Sequence, residues 1–111
     1  MPHVVIEYFA PHGLERAVVL ETALETAAHS DIMQREDIKV RLAPSEAILF
    51  GDGRESFIHV TLSLLAGRAD AAKLKVAETL TENLRKVCPD IDAISVDIQD
   101  MNPACYKKSL R

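Results

Sequence analysis

Apolar and polar residues alternate along four short segments of the chain, which is the pattern of half-buried β-strands. The segments begin near His3, Ile38, Ser56 and Ala93. In each segment every second residue is apolar: Val4, Ile6 and Tyr8; Ile38, Val40 and Leu42; Ile58, Val60 and Leu62; and Ile94, Val96 and Ile98. The positions between them are mixed in polarity. The pattern therefore predicts one sheet with an apolar face and a mixed face.

Two longer segments between these strands carry apolar residues at helical spacing. The first predicted helix covers about residues 14–28, and its apolar stripe contains Leu14, Ala17, Leu20, Leu24 and Ala28. The second covers about residues 70–87 and ends before Pro89, and its stripe contains Val76, Ala77, Leu80, Leu84 and Val87. Between the second and third strands, AILFGDGRESF predicts a short hairpin around Gly51, Asp52 and Gly53.

The order strand, helix, strand occurs twice at a constant interval of 56 residues. Identical pairs at this interval include His3 and His59, Val4 and Val60, Ala10 and Ala66, Leu24 and Leu80, Ile38 and Ile94, and Val40 and Val96. All three elements match at the one interval, which indicates an internal duplication.

We therefore predict an α+β fold of α/β type, built as a tandem βαβ repeat. Its four-stranded, mainly parallel sheet would carry both helices on one face. The predicted repeats cover about residues 2–46 and 57–102 of a single domain, 1–111, with a tail at 103–111. Parallel sheets are usually covered on both faces, so we expect other subunits to pack on the mixed face.

Composition and charge exclude several classes of protein. With 48% hydrophobic and 27% charged residues, the chain is typical of globular domains. A net charge of -4 gives no reason to expect nucleic acid, and Lys107, Lys108 and Arg111 are interpreted as a solvated tail. No apolar run approaches the roughly 20 residues of a membrane span, and no secretory signal is recognisable. We predict a cytoplasmic protein with two reduced cysteines, Cys88 and Cys105.

Three features together resemble the tautomerase superfamily: a proline directly after Met1, the tandem repeat, and the stretch FIHVTLSLLAGRADAAK. The chain looks most like the 5-carboxymethyl-2-hydroxymuconate delta-isomerases, in MPHVVIEY, in DIKVRLAPSEAILFGDGRESFIHVTLSLLAGR and in SVDIQDMNPACYKK. The resemblance covers nearly the whole chain. It implies a homotrimer with sites at subunit interfaces, and a proton transfer in a small carboxylate substrate that needs no cofactor and no metal.

The resemblance also implies the residues of the site. Pro2, freed by removal of Met1, is the expected catalytic base, and Arg68 and Lys39 are expected to hold substrate carboxylates. Arg41 is a further candidate beside them. The alternative for Arg41 is a solvated charge on the strand or a salt bridge at a subunit interface. Phe57 is a candidate both for the core and for a wall of the pocket. Lys39 stands where arginine is expected, so it keeps the charge but loses the planar grip on a carboxylate.

Pro2 suits this chemistry only if its amine is unprotonated near neutral pH. Burial disfavours the ammonium form, and nearby cations act in the same direction. Pro2 shares the apolar phase of the first strand, which favours burial; the alternative is a proline that only ends an edge strand. Because Lys39 and Arg41 lie in the mixed phase, we expect a site assembled from two subunits.

The leading hypothesis is an isomerase that acts on 5-carboxymethyl-2-hydroxymuconate or a similar product of aromatic degradation. One alternative is a related tautomerase activity on another 2-oxo acid, and the other is a non-catalytic trimeric binding protein. The four histidines have no metal-ligand spacing, and Cys88 has no neighbouring base that would make it a nucleophile.

Overall fold

A computed structural model of the chain, describing residues 1–111, contains four strands and two long helices. In chain order these elements are β1 (His3–Phe9), α1 (Arg16–Ala28), β2 (Lys39–Pro44), β3 (Phe57–Leu65), α2 (Asp70–Val87) and β4 (Ala93–Met101). Single 3-10 turns at Arg35–Asp37 and Pro103–Cys105 precede β2 and follow β4. The predicted strands and helices are confirmed, and each begins within two residues of its predicted start. Neither long helix has the length and apolarity that would let it cross a membrane.

The predicted hairpin between β2 and β3 is wrong. A turn forms at Gly51 and Asp52, but no strands pair on either side of it. Arg54 closes this turn, because its main-chain amide donates to Asp52 Oδ1 at 3.0 Å and its Nε to Oδ2 at 2.8 Å. Ile48 and Leu49 are exposed, Leu49 to 96%, so these two residues lack the core contact that would hold a strand in register.

The sheet is mixed rather than mainly parallel. Its strand order is β2-β1-β3-β4. The outer pairs, β1 with β2 and β3 with β4, are parallel, whereas the central pair, β1 with β3, is antiparallel. Each βαβ unit therefore forms its predicted parallel pair, and the antiparallel contact arises where the two units meet.

The register of the sheet agrees with the 56-residue interval between the two halves of the sequence. His3 lies opposite Lys39, and His59 lies opposite Ser95, so both parallel pairs have the same spacing of 36 residues. In the central pair Val5 lies opposite Thr61, which is its own counterpart 56 residues later. The two units are therefore related by an approximate two-fold axis that passes between β1 and β3 at this pair.

Both helices cover the apolar face of the sheet and bury its central residues completely: Val4, Ile6, Ile58, Val60 and Leu62. The predicted stripe of α2 is confirmed, with Val76, Leu80 and Leu84 buried. The predicted stripe of α1 is wrong, because its buried residues are Val19, Ala23, Thr26 and Ala27, and Ala17 is exposed. Apolar residues occur nearly all round the first turns of α1, so spacing alone does not select the buried side.

Candidate active site

Pro2 lines a cavity of about 360 Å³ at the end of the sheet where β1 begins. Its wall comes from the start of the chain, the segment after α1, the end of β3 and the tail: Met1, Pro2, Asp31, Ile32, Met33, Gln34, Asp37, Leu64, Leu65, Arg68 and Lys108. Two predicted site residues, Pro2 and Arg68, are brought together here. The antiparallel pairing of β1 with β3 causes this, because it sets the end of β3 beside the start of β1.

Pro2 is buried, in agreement with its place in the apolar phase of β1. Its carbonyl oxygen accepts a hydrogen bond from the main-chain amide of Lys39 at 3.1 Å, which continues the β1–β2 ladder by one residue. A proline fits this position because its missing N–H would lie at the start of the strand, where no ladder partner is required. The position of the ring is therefore fixed by backbone pairing and by burial together.

Arg68 is held by main-chain carbonyl oxygens. Its Nε and Nη2 both donate to the carbonyl of Ile32, at 3.1 and 2.9 Å, and its Nη1 donates to the carbonyl of Leu65 at 2.9 Å. Gly67 precedes it with φ of 134°, a conformation that favours glycine and turns the chain at the end of β3.

A guanidinium has five N–H donors, so these three bonds leave two donors of Arg68 without a partner in the chain. No carboxylate lies within 4.0 Å of the guanidinium. Arg68 is thus a half-buried cation in a fixed orientation. Its two remaining N–H groups suit an anionic ligand.

Lys39 lies next to the cavity without lining it. Its side chain projects from the mixed face of the sheet, and its Nζ lies 3.1 Å from Met1 Sδ. The ammonium group therefore ends beside the residue that precedes Pro2. The long, flexible side chain makes this possible although Lys39 and Pro2 belong to different phases of the sheet.

Arg41 stays on the mixed face, where its Nη1 donates to His3 Nδ1 at 3.1 Å. Arginine can only donate, so Nδ1 of His3 accepts and the proton of the neutral ring lies on Nε2. Burial lowers the pKa of His3 from its ordinary value, and the charges of Arg41 and Lys39 lower it further. The chain does not bring Arg41 to the cavity.

Phe57 lies at the opposite end of the sheet from Pro2. It pairs with Phe9 across β1 and β3, and its ring packs edge-to-face on Phe50 with centroids 6.1 Å apart. Phe9 follows Pro2 by seven positions along the extended chain, a distance of about 23 Å at 3.3 Å per residue. Within one chain, Phe57 therefore does not reach the cavity.

Three charged residues of the cavity were missed by the sequence reasoning: Asp31, Asp37 and Lys108. Asp31 has φ of 67°, in the left-handed region that aspartate tolerates better than most residues. Asp31 lies three residues after the end of α1, and nothing in the sequence pattern marks it as part of a site. Nothing in the sequence pattern indicates that Lys108 of the basic tail lines the same cavity as Pro2.

A smaller cavity of about 230 Å³ lies at the position that the 56-residue interval relates to the first. It contains His12, Cys88 and Asp90, where the first cavity has Arg68, Ile32 and Gln34. The counterpart of Pro2 is Ile58, whose nitrogen is within the chain. Burial raises the pKa of the Cys88 thiol, so this group stays protonated at neutral pH. The second cavity thus lacks both the amine position and the arginine.

The largest depression, about 610 Å³, lies between α1 and α2 and is lined mainly by polar side chains. Asn83 Nδ2 donates to Thr26 Oγ1 across it at 2.9 Å. None of the predicted site residues lines this depression. The candidate site is therefore the cavity of Pro2 and Arg68.

Comparison with known families gives one match over almost the entire chain. The family model described as 5-carboxymethyl-2-hydroxymuconate isomerase matches residues 2–109. Curated protein sequences give no match.

Solved structures give strong matches to the fold. A 5-carboxymethyl-2-hydroxymuconate isomerase from Deinococcus radiodurans R1 has a TM-score of 0.85 and 21% identity, over 99% of this chain and 90% of that one. A 5-carboxymethyl-2-hydroxymuconate delta-isomerase has a TM-score of 0.77 and 18% identity, over 100% and 89%. A fused 4-OT, described as a wild-type symmetric trimer, has a TM-score of 0.79 and 15% identity, over 96% and 91%. At these identities, the structures show a shared fold.

Proposed function

Because the chain belongs to the 5-carboxymethyl-2-hydroxymuconate isomerase family and is an isomerase of the tautomerase superfamily, we propose that Pro2 is its acid–base catalyst. Removal of Met1 would convert the Pro2 nitrogen from an amide into a free secondary amine. The observation that carries the proposal is that buried Pro2 and the cation Arg68 line the same cavity. Met1 also lines this cavity, so its removal would enlarge the space in front of the amine.

Burial and the neighbouring cations of Pro2 favour a neutral amine. Burial disfavours the ammonium form, and the positive charges of Arg68, Lys108 and Lys39 act in the same direction. Asp31 and Asp37 act in the opposite direction because a carboxylate stabilises a nearby ammonium. Each unit by which the pKa of the amine falls corresponds to about 1.4 kcal/mol of lost stabilisation of its charged form.

The proposed reaction moves one proton and one double bond. The Pro2 amine takes a proton from the 2-hydroxyl group of a dienol acid, or from a carbon of an unsaturated 2-oxo acid, and the electron pair that held this proton enters the conjugated system as a dienolate. The prolinium then gives the proton to a different position of the same system, a carbon, which restores the free amine. The two unpartnered N–H groups of Arg68 would bind a carboxylate or the developing enolate oxygen.

We propose 5-carboxymethyl-2-hydroxymuconate, or a similar product of aromatic degradation, as the substrate. The family supports this choice, and the cations near Pro2 suit a substrate with several carboxylates. A related activity on another 2-oxo acid is the alternative, and it is favoured by lysine instead of the expected arginine at position 39. A panel of mono-, di- and tricarboxylate enols distinguishes the two by kcat/KM.

We also propose a homotrimer with each site at a subunit interface. The mixed face of the sheet is uncovered in the single chain, and the similar fused 4-OT is described as a trimer. Arg41 and Phe57 do not reach the cavity of their own chain, so they could serve the site only in a neighbouring subunit. Sedimentation equilibrium should give three times the mass of one chain; a monomer would contradict the interface site.

The catalytic role is tested by intact mass and by Pro2→Ala. We expect the purified protein to lack Met1, and we expect the variant to lose about 100-fold or more of its isomerase activity. Pro44→Ala, which changes the exposed last residue of β2, is the matched control and should keep full activity. Retention of Met1 in an active protein, or a fully active Pro2→Ala variant, would overturn the proposal.

A direct titration of the Pro2 amine separates the enzyme from a non-catalytic trimeric binding protein. The ¹⁵N chemical shift of labelled proline, followed against pH, should give a pKa near neutral. A value above about 9 would mean an amine that is protonated and idle at physiological pH. That result would favour the binding protein.

A further inference from the structure

The tail after β4 leads a lysine back to the cavity of Pro2. The carbonyl of Met101 accepts from the amide of Ala66 at 3.0 Å, which sets the end of β4 beside the turn that carries Arg68. Asn102 Oδ1 then accepts from the amide of Ala104 at 3.0 Å and caps the 3-10 turn that follows. The tail therefore begins next to the cavity, and Lys108 lines the cavity wall.

Lys108 has no acidic partner in the chain. Its side chain is exposed, and no carboxylate lies within 4.0 Å of its ammonium group. Lys108 shares its cavity with a second cation, Arg68. An anion bound between them would give both groups a partner.

The charges that line the cavity make Lys108 important for anion binding. Asp31 and Asp37 contribute two negative charges, and Arg68 and Lys108 contribute two positive charges. Without Lys108 the lining would have a net negative charge. A ligand with several carboxylates would then be repelled more strongly than a ligand with one.

We propose that Lys108 binds a distal carboxylate of the substrate and so selects polycarboxylates over monocarboxylates. The inference rests on the proposed function, because it takes the cavity of Pro2 as the substrate site. Arg68 has two free N–H groups, which suffice for one carboxylate. The flexible ammonium of Lys108 supplies a point charge for a second carboxylate further from the amine.

The experiment compares Lys108→Gln with Lys107→Gln. Lys107 is the exposed neighbour that does not line the cavity, so its variant loses the same charge from the same tail. The substrates are 5-carboxymethyl-2-hydroxymuconate, with three carboxylates, and phenylenolpyruvate, with one.

For Lys108→Gln we expect KM for the tricarboxylate to rise about 5- to 10-fold with little change in kcat, as for a lost charged contact that is partly exposed. KM for phenylenolpyruvate should change less than about 2-fold, because it has no second carboxylate to lose. Lys107→Gln should change neither value, and Lys108→Arg should restore the KM of the original protein. Equal effects of the two Gln variants, or equal effects on the two substrates, would overturn the inference.

Failure of the proposed function gives a different result. If the original protein isomerises neither substrate, the proposed function is wrong, and the affinity for 5-carboxymethyl-2-hydroxymuconate is then measured by calorimetry. Weaker binding by Lys108→Gln than by Lys107→Gln would still support the binding role of Lys108. Equal affinities would overturn it.

Discussion

The main-chain amide of Lys39 donates a hydrogen bond to the carbonyl oxygen of Pro2, with N and O 3.1 Å apart. The ammonium group of the same lysine lies 3.1 Å from Met1 Sδ. The parallel pairing of β1 with β2 therefore sets the backbone of Lys39 beside Pro2, and the ammonium group of Lys39 lies beside the side chain of Met1. Within one chain Lys39 lies next to the cavity without lining it, and a site assembled from two subunits stays a prediction.

Lys39→Gln should raise the pKa of the Pro2 amine, because it removes a positive charge that disfavours the ammonium form. The acid limb of the pH profile of kcat/KM should move to higher pH, so that activity falls most at and below neutral pH. Lys39→Arg keeps the positive charge, so it should leave the acid limb of the pH profile in place and change only KM. Lys75→Gln, on the exposed side of α2, is the control for loss of one positive charge. An acid limb that does not move in Lys39→Gln would contradict this role.

Arg68→Lys should reduce both activity and stability. A lysine cannot donate two bonds to the Ile32 carbonyl and a third to that of Leu65, so the segment after α1 loses its link to β3. We expect kcat/KM to fall at least about 10-fold and the free energy of unfolding to fall by about 1–2 kcal/mol. Enzyme assays and urea unfolding measure the two effects. Arg16→Lys, at the exposed start of α1, should change neither; an unaltered Arg68→Lys would show that the three bonds are dispensable.

The low pKa of His3 should make stability depend on pH. Burial, assisted by Arg41 and Lys39, lowers this pKa below the ordinary value of 6.5. Between the lowered value and 6.5, the unfolded chain binds more protons than the folded chain, so stability falls as the pH falls through this window and is fully present above it.

Urea midpoints at pH 5 and pH 7.5 measure this dependence. The difference between the two midpoints should be smaller in His3→Gln than in the original protein. His12→Gln, which changes an exposed histidine away from the sheet, should keep the original difference. A His3→Gln variant with an unchanged pH dependence would exclude His3 as its source.

Leu80→Ala should destabilise the fold strongly, because Leu80 is completely buried between α2 and the sheet. The cavity that the substitution leaves should cost about 2–5 kcal/mol of unfolding free energy. Leu74→Ala, on the same helix at 60% exposure, should cost within about 0.5 kcal/mol. Urea unfolding of both variants checks the difference, and similar losses would show that the apolar face of α2 has been assigned wrongly.

Periodicity predicted the parts of the fold in which burial alternates regularly. β1 begins at its predicted residue and α2 covers its predicted range, because each has one clear apolar face. The stripe of α1 was wrong because Val18, Val19 and Leu20 are consecutive, so the sequence offers several apolar faces. The pattern also did not predict that β1 and β3 pair antiparallel, because it records only which side of each strand is apolar.

The candidate site rests on resemblance rather than on the pattern of apolar and polar positions. The fold brings two of its expected residues, Pro2 and Arg68, into one cavity. Asp37 and Lys108 were missed because the cavity is assembled from separated loops, where no periodic signal marks a shared surface. Only the tertiary structure shows that these charges face the same space.

The two-fold relationship between the halves has an evolutionary consequence. Two unlinked βαβ chains on the same axis would each begin with a strand and could each supply a terminal amine, whereas in the joined chain Ile58 is peptide-bonded on both sides. With Pro2 as the proposed catalyst, a fusion of two such chains would leave one catalytic amine for every two structural copies. The second copy would then be selected for its packing and not for its chemistry. The divergence of His12 from Arg68, within a register that has remained identical, is what such unequal selection would produce.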